Sequence, residues 1–313
     1  MKEEITINLD LPPEKRWLFL EKYKVEIDEM IGYYLDDLSD ISFFEDLIEE
    51  YKQGFVPISY QKEIRSIAQF SQYSENQILL TNLYYDALKF VFGCTSFAVQ
   101  NDDRMIHARN LDWWTKNDVL NKHTKVFHFS KNGKTVFTSI SWCGFIGVLS
   151  GMRHDGYSVT LNAVLSEESP NFAQPVTFLL RDVLENEPNY QRAVQQLCTT
   201  PIASDCLLMI VGKNKGEMNV IERTPTQFEI RQAKDNYLIV TNDYKQMKGE
   251  KQTGDILQTS SCGRYNQAEA LLQKSLPQNE IEAFKVLNDK KVKMNITVQQ
   301  MVFDLTDNKI ILL

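Results

Sequence analysis

The chain has 313 residues, 43% of them hydrophobic and 24% charged, which suits one large globular domain or two small ones. A net charge of −8 and a pI near 5.2 make it a poor partner for nucleic acid, and no dense Lys/Arg cluster reverses that. The longest apolar runs, such as LLMIV at 207–211, are too short to span a bilayer.

In chain order, ITINLD (5–10) alternates apolar and polar residues as a half-buried strand does, and Pro12-Pro13 then opens a helix. From Trp17 to about Tyr51 apolar residues recur at three and four: Leu20, Tyr23, Ile27, Met30, Ile31, Tyr34, Leu35 and Leu38. After a break at Gly54–Pro57, a second helical stretch is expected over 60–90. Beyond Gly93 the texture changes to short segments rich in β-branched and aromatic residues: CTSFAV, MIHAR, TKVFHFS, KTVFTSISW, FIGVLSG, YSVTLNAV, DCLLMIVG, MNVIER, FEIRQA and YLIVTN. KNGK, HDG and KNKG separate several of them as turns. Helical patterns interrupt at 173–198 and 264–275, and ITVQQMVFDLTDNKIILL reads as a hairpin turning at Thr306–Asn308. The order predicts an α+β layered fold with antiparallel sheets.

Cys94, Cys143, Cys198, Cys206 and Cys262 are odd in number, scattered and never spaced as CxxC, which points to free thiols in a reducing compartment. The opening MKEEITINLDLPPEKRW lacks a charged leader followed by an apolar stretch, so a cytoplasmic protein is expected. His123 and His128 lie five apart with no nearby Cys or acidic third ligand, and no metal site is expected.

The junction FVFGCTSFAVQNDDRMIHARNLDWW (90–114) carries the chemistry. Cysteine is a good nucleophile only as a thiolate, and one economical base is the α-amine of the same residue, freed by cutting the preceding peptide bond. Its reference pKa of roughly 7.7–8.0 suits proton transfer near neutral pH. Gly93, without a Cβ, suits attack by the Cys94 thiol on its carbonyl. Arg109 would then favour the thiolate, and Asp112 would hold the new α-ammonium. The plainer reading of the same residues is a buried core thiol beside a surface ion pair.

GCTSFAVQNDDRMIHARNLDWW resembles the start of the mature β-subunit in the N-terminal-nucleophile family of acid ceramidase and N-acylethanolamine-hydrolysing acid amidase, related to choloylglycine hydrolase and penicillin V acylase. INLDLPPEKRW, LLTNLYYDALKF, KTVFTSISWCGFIGVLSG, TPIASDCLLMIVG and IVTNDY resemble further segments of that family in the same order. The resemblance implies an αββα four-layer sandwich, with a mostly helical segment at 1–93 and a catalytic β-subunit-like core at 94–313. It implies cleavage between Gly93 and Cys94, with both pieces staying associated. It assigns Cys94 as nucleophile, Arg109 and Asp112 to the RNLD motif, and Asn242 to the oxyanion hole. Asn162 matches an asparagine common to both branches, and Arg264, placed just before a helix, matches a late arginine shared with the bile-salt group; read alone, Asn242 suits a turn at a strand end and Arg264 a helix-flanking surface charge. Ala163 stands where the acid ceramidase type has glutamate, which weighs against ceramide itself.

The expected activity is a self-processing, cofactor-free cysteine amidase cutting the linear amide of a fatty-acyl amine. Rival readings are a bile-salt or penicillin-type acylase, an N-acyltransferase, and a silent lipid-binding relative. Trp17, Leu18, Phe19, Tyr23, Met30, Tyr33, Tyr34, Phe43 and Phe44 exceed one core stripe; read alone they suit helix-on-helix core packing, and by the resemblance they border an acyl groove that touches lipid surfaces transiently. Asp36, Asp37, Asp40, Glu45, Asp46, Glu49 and Glu50 oppose anchoring to an anionic membrane. The animal relatives are lysosomal; a cytoplasmic one with a less acidic pH optimum is expected here.

Overall fold

A computed structural model of the chain describes residues 2–38, 42–88, 92–102, 104–115, 118–247 and 256–313, and for 42–46, 87–88, 92 and 256–259 the backbone alone. Strand β1 (Glu4–Asn8) comes first, then short 3-10 turns at Pro13–Lys15 and Leu18–Tyr23. Helices follow: α1 (Lys24–Leu38), α2 (Ser42–Phe55), α3 (Ile58–Ala68), α4 (Glu75–Asn82) and α5 (Tyr84–Leu88). Pro57 caps α3, and Ser74 with Gln77 forms a reciprocal capping box on α4. Next come β2 (Phe92–Gln100), β3 (Met105–Trp113), short α6 (Val119–His123), β4 (Lys125–Lys131), β5 (Lys134–Ser141), β6 (Ser150–Arg153) and β7 (Tyr157–Asn162). Then α7 (Val176–Asn186), α8 (Tyr190–Thr199), β8 (Cys206–Gly212), β9 (Met218–Arg223), β10 (Phe228–Gln232) and β11 (Tyr237–Val240) follow. The chain ends with α9 (Ile256–Lys274), α10 (Glu280–Leu287), β12 (Thr297–Asp304) and β13 (Lys309–Leu312).

Eight strands form one sheet in the order β1-β4-β5-β6-β7-β8-β9-β10, and five form another, β11-β2-β3-β12-β13. Neighbours are antiparallel except β1, which runs parallel to β4 and so brings the N-terminal strand into the large sheet. Three apolar layers separate four structural ones. Ala98, Met209, Val220, Leu238 and Phe303 fill the space between the sheets. Phe97, Val99, Ile106 and Ala108 pack on α9 and α10. The N-terminal helices, α7 and α8 cover the outer face of the large sheet through Phe127, Phe129, Phe137 and Leu208. The αββα sandwich is thus present, and the period of two along β2, with Phe97 and Val99 outward and Ala98 inward, builds it.

Four local expectations are corrected. The single helical pattern at 173–198 is two helices, because Pro188 holds Glu187 extended (ψ 100°). FIGVLSG forms a strand only from Ser150. Before that, Ile146 N–H donates to Asn82 Oδ1 at 2.7 Å and Val148 N–H to Thr177 O at 3.0 Å, in place of a ladder. A Cβ on Gly147 would lie 2.8 Å from the Thr177 side chain, so glycine permits this close passage. Helix α9 begins at Ile256, which puts Arg264 in mid-helix, and α10, capped by Asn279, was not anticipated. The hairpin is where it was expected, with Asn308 at φ +54° in its turn.

Candidate active site

Strands β2 and β3 pair so that Gly93 faces Asp112, Cys94 faces Leu111 and Ser96 faces Arg109. Alternation then sends Cys94, Ser96 and Arg109 into the space between the sheets and Asp112 to the opposite face. The Cys94 side chain is buried, 1% exposed. Arg109 Nη2 donates to its Sγ at 3.2 Å and is held in place by the carbonyls of Leu161 and Leu149. Burial pushes the thiol pKa up; the Arg109 charge and the backbone amide of Asp112 oppose it, and the Asp112 carboxylate adds to it. Desolvation outweighs the guanidinium, so the net direction is upward.

The nitrogen of the same residue is equally well attended. Cys94 N–H donates to Asn242 Oδ1 at 3.0 Å, and Arg264 Nη2 donates to the same oxygen at 2.7 Å. Arg264 Nη1 also reaches the Cys94 carbonyl and Thr95 Oγ1, and the residue is 3% exposed. Arg264 is therefore no surface charge. Asn242 is fixed from two more sides: its backbone N–H donates to Ser261 Oγ at 2.9 Å and its Nδ2 to Ala163 O at 2.8 Å. One Nδ2 hydrogen remains beyond that bond.

Asp112 is fully buried, and burial raises its pKa against the pull of Arg264, Thr297, Arg109 and Lys293. Its Oδ1 accepts from Thr297 Oγ1, whereas Oδ2 is buried without a hydrogen-bond partner among the described residues. Asn162 lies one step away from the thiol: Oδ1 accepts from Ser96 Oγ at 3.0 Å, and Nδ2 donates to the Thr241 carbonyl at 3.0 Å. It ties β7, β2 and the end of β11 together. Cys94, Arg109, Asn242 and Arg264 thus share direct contacts, with Asp112 paired to Gly93 and Asn162 framing them. Thr297 and Ser261, which hold Asp112 and Asn242, escaped the sequence reading because lone hydroxyls far along the chain carry no pattern.

No histidine is among the hydrogen-bond partners of the Cys94 thiol in the described residues. His107, on the same face of β3 as Arg109, is bonded at both ring nitrogens, to Ser158 Oγ at 2.7 Å and Thr160 Oγ1 at 3.0 Å. Burial, then the Arg109 charge, push its pKa down to about 3, so it stays neutral. Among the described residues no group of three or more His, Cys, Asp or Glu is placed to hold a metal ion.

Of the two readings of the N-terminal aromatics, core packing holds for most of those described: Trp17, Met30 and Tyr34 are buried in the core, and Tyr23 and Tyr33 pack against it. Trp17 is buried against Phe127 and Phe129, and Tyr34 packs on Tyr84 and Trp113. Phe43, Phe44, Asp40, Glu45 and Asp46 lie outside the described residues or side chains. A different apolar cleft of about 230 Å³ opens between α2, α4 and the segments at 170–173 and 203, lined by Leu47, Ile48, Tyr51, Leu80, Leu83 and Phe172. No helix among the described residues is long and apolar enough to cross a membrane.

Residues 99–304 match the family model described as acyl-coenzyme A:6-aminopenicillanic acid acyl-transferase. An N-acylethanolamine-hydrolyzing acid amidase of Caenorhabditis elegans is 30% identical over 93% of this chain and 86% of its own length. An acid ceramidase of Balaenoptera acutorostrata scammoni is 27% identical over 96% of this chain and 83% of its own. The solved structure of a C. elegans N-acylethanolamine-hydrolyzing acid amidase ortholog superposes with a TM-score of 0.60 at 26% identity, covering 70% of this chain and all of that one. The chain belongs to the acyl-coenzyme A:6-aminopenicillanic acid acyl-transferase family, alongside acid ceramidase and N-acylethanolamine-hydrolyzing acid amidase, and its fold is that of the N-terminal-nucleophile amide hydrolases.

Proposed function

We propose that this amide hydrolase matures by cutting itself between Gly93 and Cys94 and then hydrolyses the linear amide of a fatty-acyl amine. One observation carries the reading. At a single residue, Arg109 touches the sulfur, Asn242 touches the nitrogen, and a buried carboxylate oxygen of Asp112, opposite Gly93, awaits a donor. In maturation the Cys94 thiol attacks the Gly93 carbonyl carbon, the C–N bond breaks as the nitrogen takes the proton, and water hydrolyses the resulting thioester. The freed α-ammonium supplies the donor that Asp112 Oδ2 lacks.

In the cut enzyme the α-amine takes the Cys94 proton and the thiolate attacks the substrate amide. The oxyanion is stabilised by the remaining Nδ2 hydrogen of Asn242, with backbone donors. The ammonium protonates the leaving amine, and the amine form then activates water, which releases the acid and frees the thiol. No cofactor takes part. Division at 93/94 makes residues 1–93 the smaller piece. The ladder of β1 with β4 and the bonds of Asn82 to Gly144 and Ile146 support continued association.

The names of the relatives point to N-acylethanolamine- or ceramide-like substrates, and this reading gives the acyl chain to the apolar cleft beside α2. Ala163 offers its carbonyl to Asn242 but no carboxylate, which favours the simpler amides over ceramide. A cytoplasmic setting belongs to the same reading and agrees with five cysteines, none of them in a disulfide. The substrate class is tested by kcat/KM for C4, C12 and C16 amides of one amine. Each methylene buried should add up to about 0.8 kcal/mol until the cleft is full. A flat profile would eliminate the fatty-acyl assignment.

A further inference from the structure

Glu222 sits on β9 of the large sheet, and its carboxylate is fully buried. It does not reach Cys94. Instead it gathers successive backbone amides of the loop that follows β11 in the small sheet. Lys245 N–H lies 3.0 Å from each oxygen, and Gln246 and Met247 N–H donate to Oε2 at 2.9 and 3.0 Å. Arg231 Nε adds a fifth contact at 3.3 Å from β10. Three consecutive amides converging on one anion form a concave backbone grip, stronger than neutral hydrogen bonds.

That loop opens with Thr241 and Asn242. Beside the grip, Tyr244 Oη donates to the Arg223 carbonyl at 2.7 Å, so β9 holds the loop twice. Lys245 Nζ lies 4.3 Å from the ring of Tyr265, the neighbour of Arg264 on α9. The loop is therefore fastened to the large sheet through residues 244–247 and to α9 through Lys245 and through Asn242, which bonds Ser261 and Arg264. We infer that Glu222 is a positioning residue: it sets the Asn242 side chain against Cys94 by anchoring residues 245–247 across the gap between the sheets. Both faces of β9 are buried, so a charged residue there is costly unless it performs such a task. In the sequence MNVIER the glutamate falls in phase with Met218 and Val220 at the polar end of a short strand, and the amides that it gathers lie more than twenty residues further on, so it gave no signal.

The inference rests on the role proposed for Asn242, and a double-mutant cycle separates the two. Kinetics are measured per mole of cut enzyme on one long-chain amide, with folding checked by thermal melting. Asn242→Ala alone should lower kcat by roughly 10²–10³, and near-wild-type turnover there would refute the Asn242 reading itself. Glu222→Ala should lower kcat about 10- to 100-fold with KM shifted less than about 3-fold, the signature of misplaced catalytic groups. Introduced into Asn242→Ala, the same change should cost less than about 3-fold, since there is no side chain left to place. Glu222→Gln keeps one acceptor oxygen and should fall between wild type and Glu222→Ala; it also serves in the cycle if Glu222→Ala does not fold. Equal losses in both backgrounds, or no loss in either, would overturn the inference.

Discussion

Cys94→Ala is expected to give a single full-length chain with no amidase activity. In the proposed mechanism one sulfur atom serves both reactions, first on the Gly93 carbonyl and then on the substrate. Alanine removes it while filling nearly the same space in the buried strand β2, so the fold should survive. Arg109 would lose its sulfur partner but keep the Leu149 and Leu161 carbonyls, which limits the structural cost. Cys94→Ser should cut slowly, because an alcohol ionises far less readily than a thiol. The readouts are denaturing electrophoresis and turnover of a long-chain amide. Cleavage persisting in Cys94→Ala would show that another group, or a contaminating protease, cuts the chain.

The second large effect should come from a residue far from the chemistry. Glu63 on α3 is wholly buried and gathers Arg16 Nη1 at 2.9 Å, Trp17 Nε1 at 2.9 Å and both terminal nitrogens of Arg181 on α7. Arg181, also wholly buried, lies against the ring of Tyr60 at 4.4 Å. This clasp joins residues on the N-terminal side of Gly93–Cys94 to one on the C-terminal side. Removing one partner of a buried pair leaves an uncompensated charge and costs about 3–5 kcal/mol. In the uncut Cys94→Ala background, Glu63→Ala should therefore lower unfolding stability by about that amount, a large share of a typical 5–15 kcal/mol. In cut protein it should loosen the two pieces by about 10²- to 4 × 10³-fold. Replacing Glu63 and Arg181 together by methionine should recover part of the loss, because the wholly buried Arg181 charge is gone and only Arg16, whose side chain keeps some exposure, and the Trp17 Nε1–H lose their acceptor. A cost below about 1 kcal/mol for Glu63→Ala, measured by urea denaturation, would mean the clasp contributes only what exposed pairs do.

These two cases mark what the sequence discloses. Cys94, Arg109 and Asp112 stand close together along the chain, on two strands joined by a short turn, so their chemistry could be read as one cluster. Their contact geometry, with Arg109 on the sulfur and Asp112 across from Gly93, follows from a simple hairpin register. Arg264 could be matched but not placed, since nothing local distinguishes a helix-flanking charge from a buried one. Glu63, Glu222 and Asn82 were illegible. Each looks like an ordinary polar residue on an amphipathic element, and its partner comes from a distant part of the chain. The layered fold was legible from the switch from helical to strand periodicity near Gly93. FIGV at 145–148 misled because a short buried apolar run has no period that separates strand from a loop pinned by side chains.

The account turns on the bond between Gly93 and Cys94. Intact mass and N-terminal sequencing of purified wild-type protein, held at several pH values from 4 to 8, test it most directly. Dividing 36.3 kDa by residue count, 93 and 220 of 313, gives expected pieces of roughly 11 and 25 kDa that co-elute, the larger beginning at Cys94. A chain that stays at full length throughout and still hydrolyses long-chain amides would contradict the mechanism, because Cys94 would then be working without its α-amine.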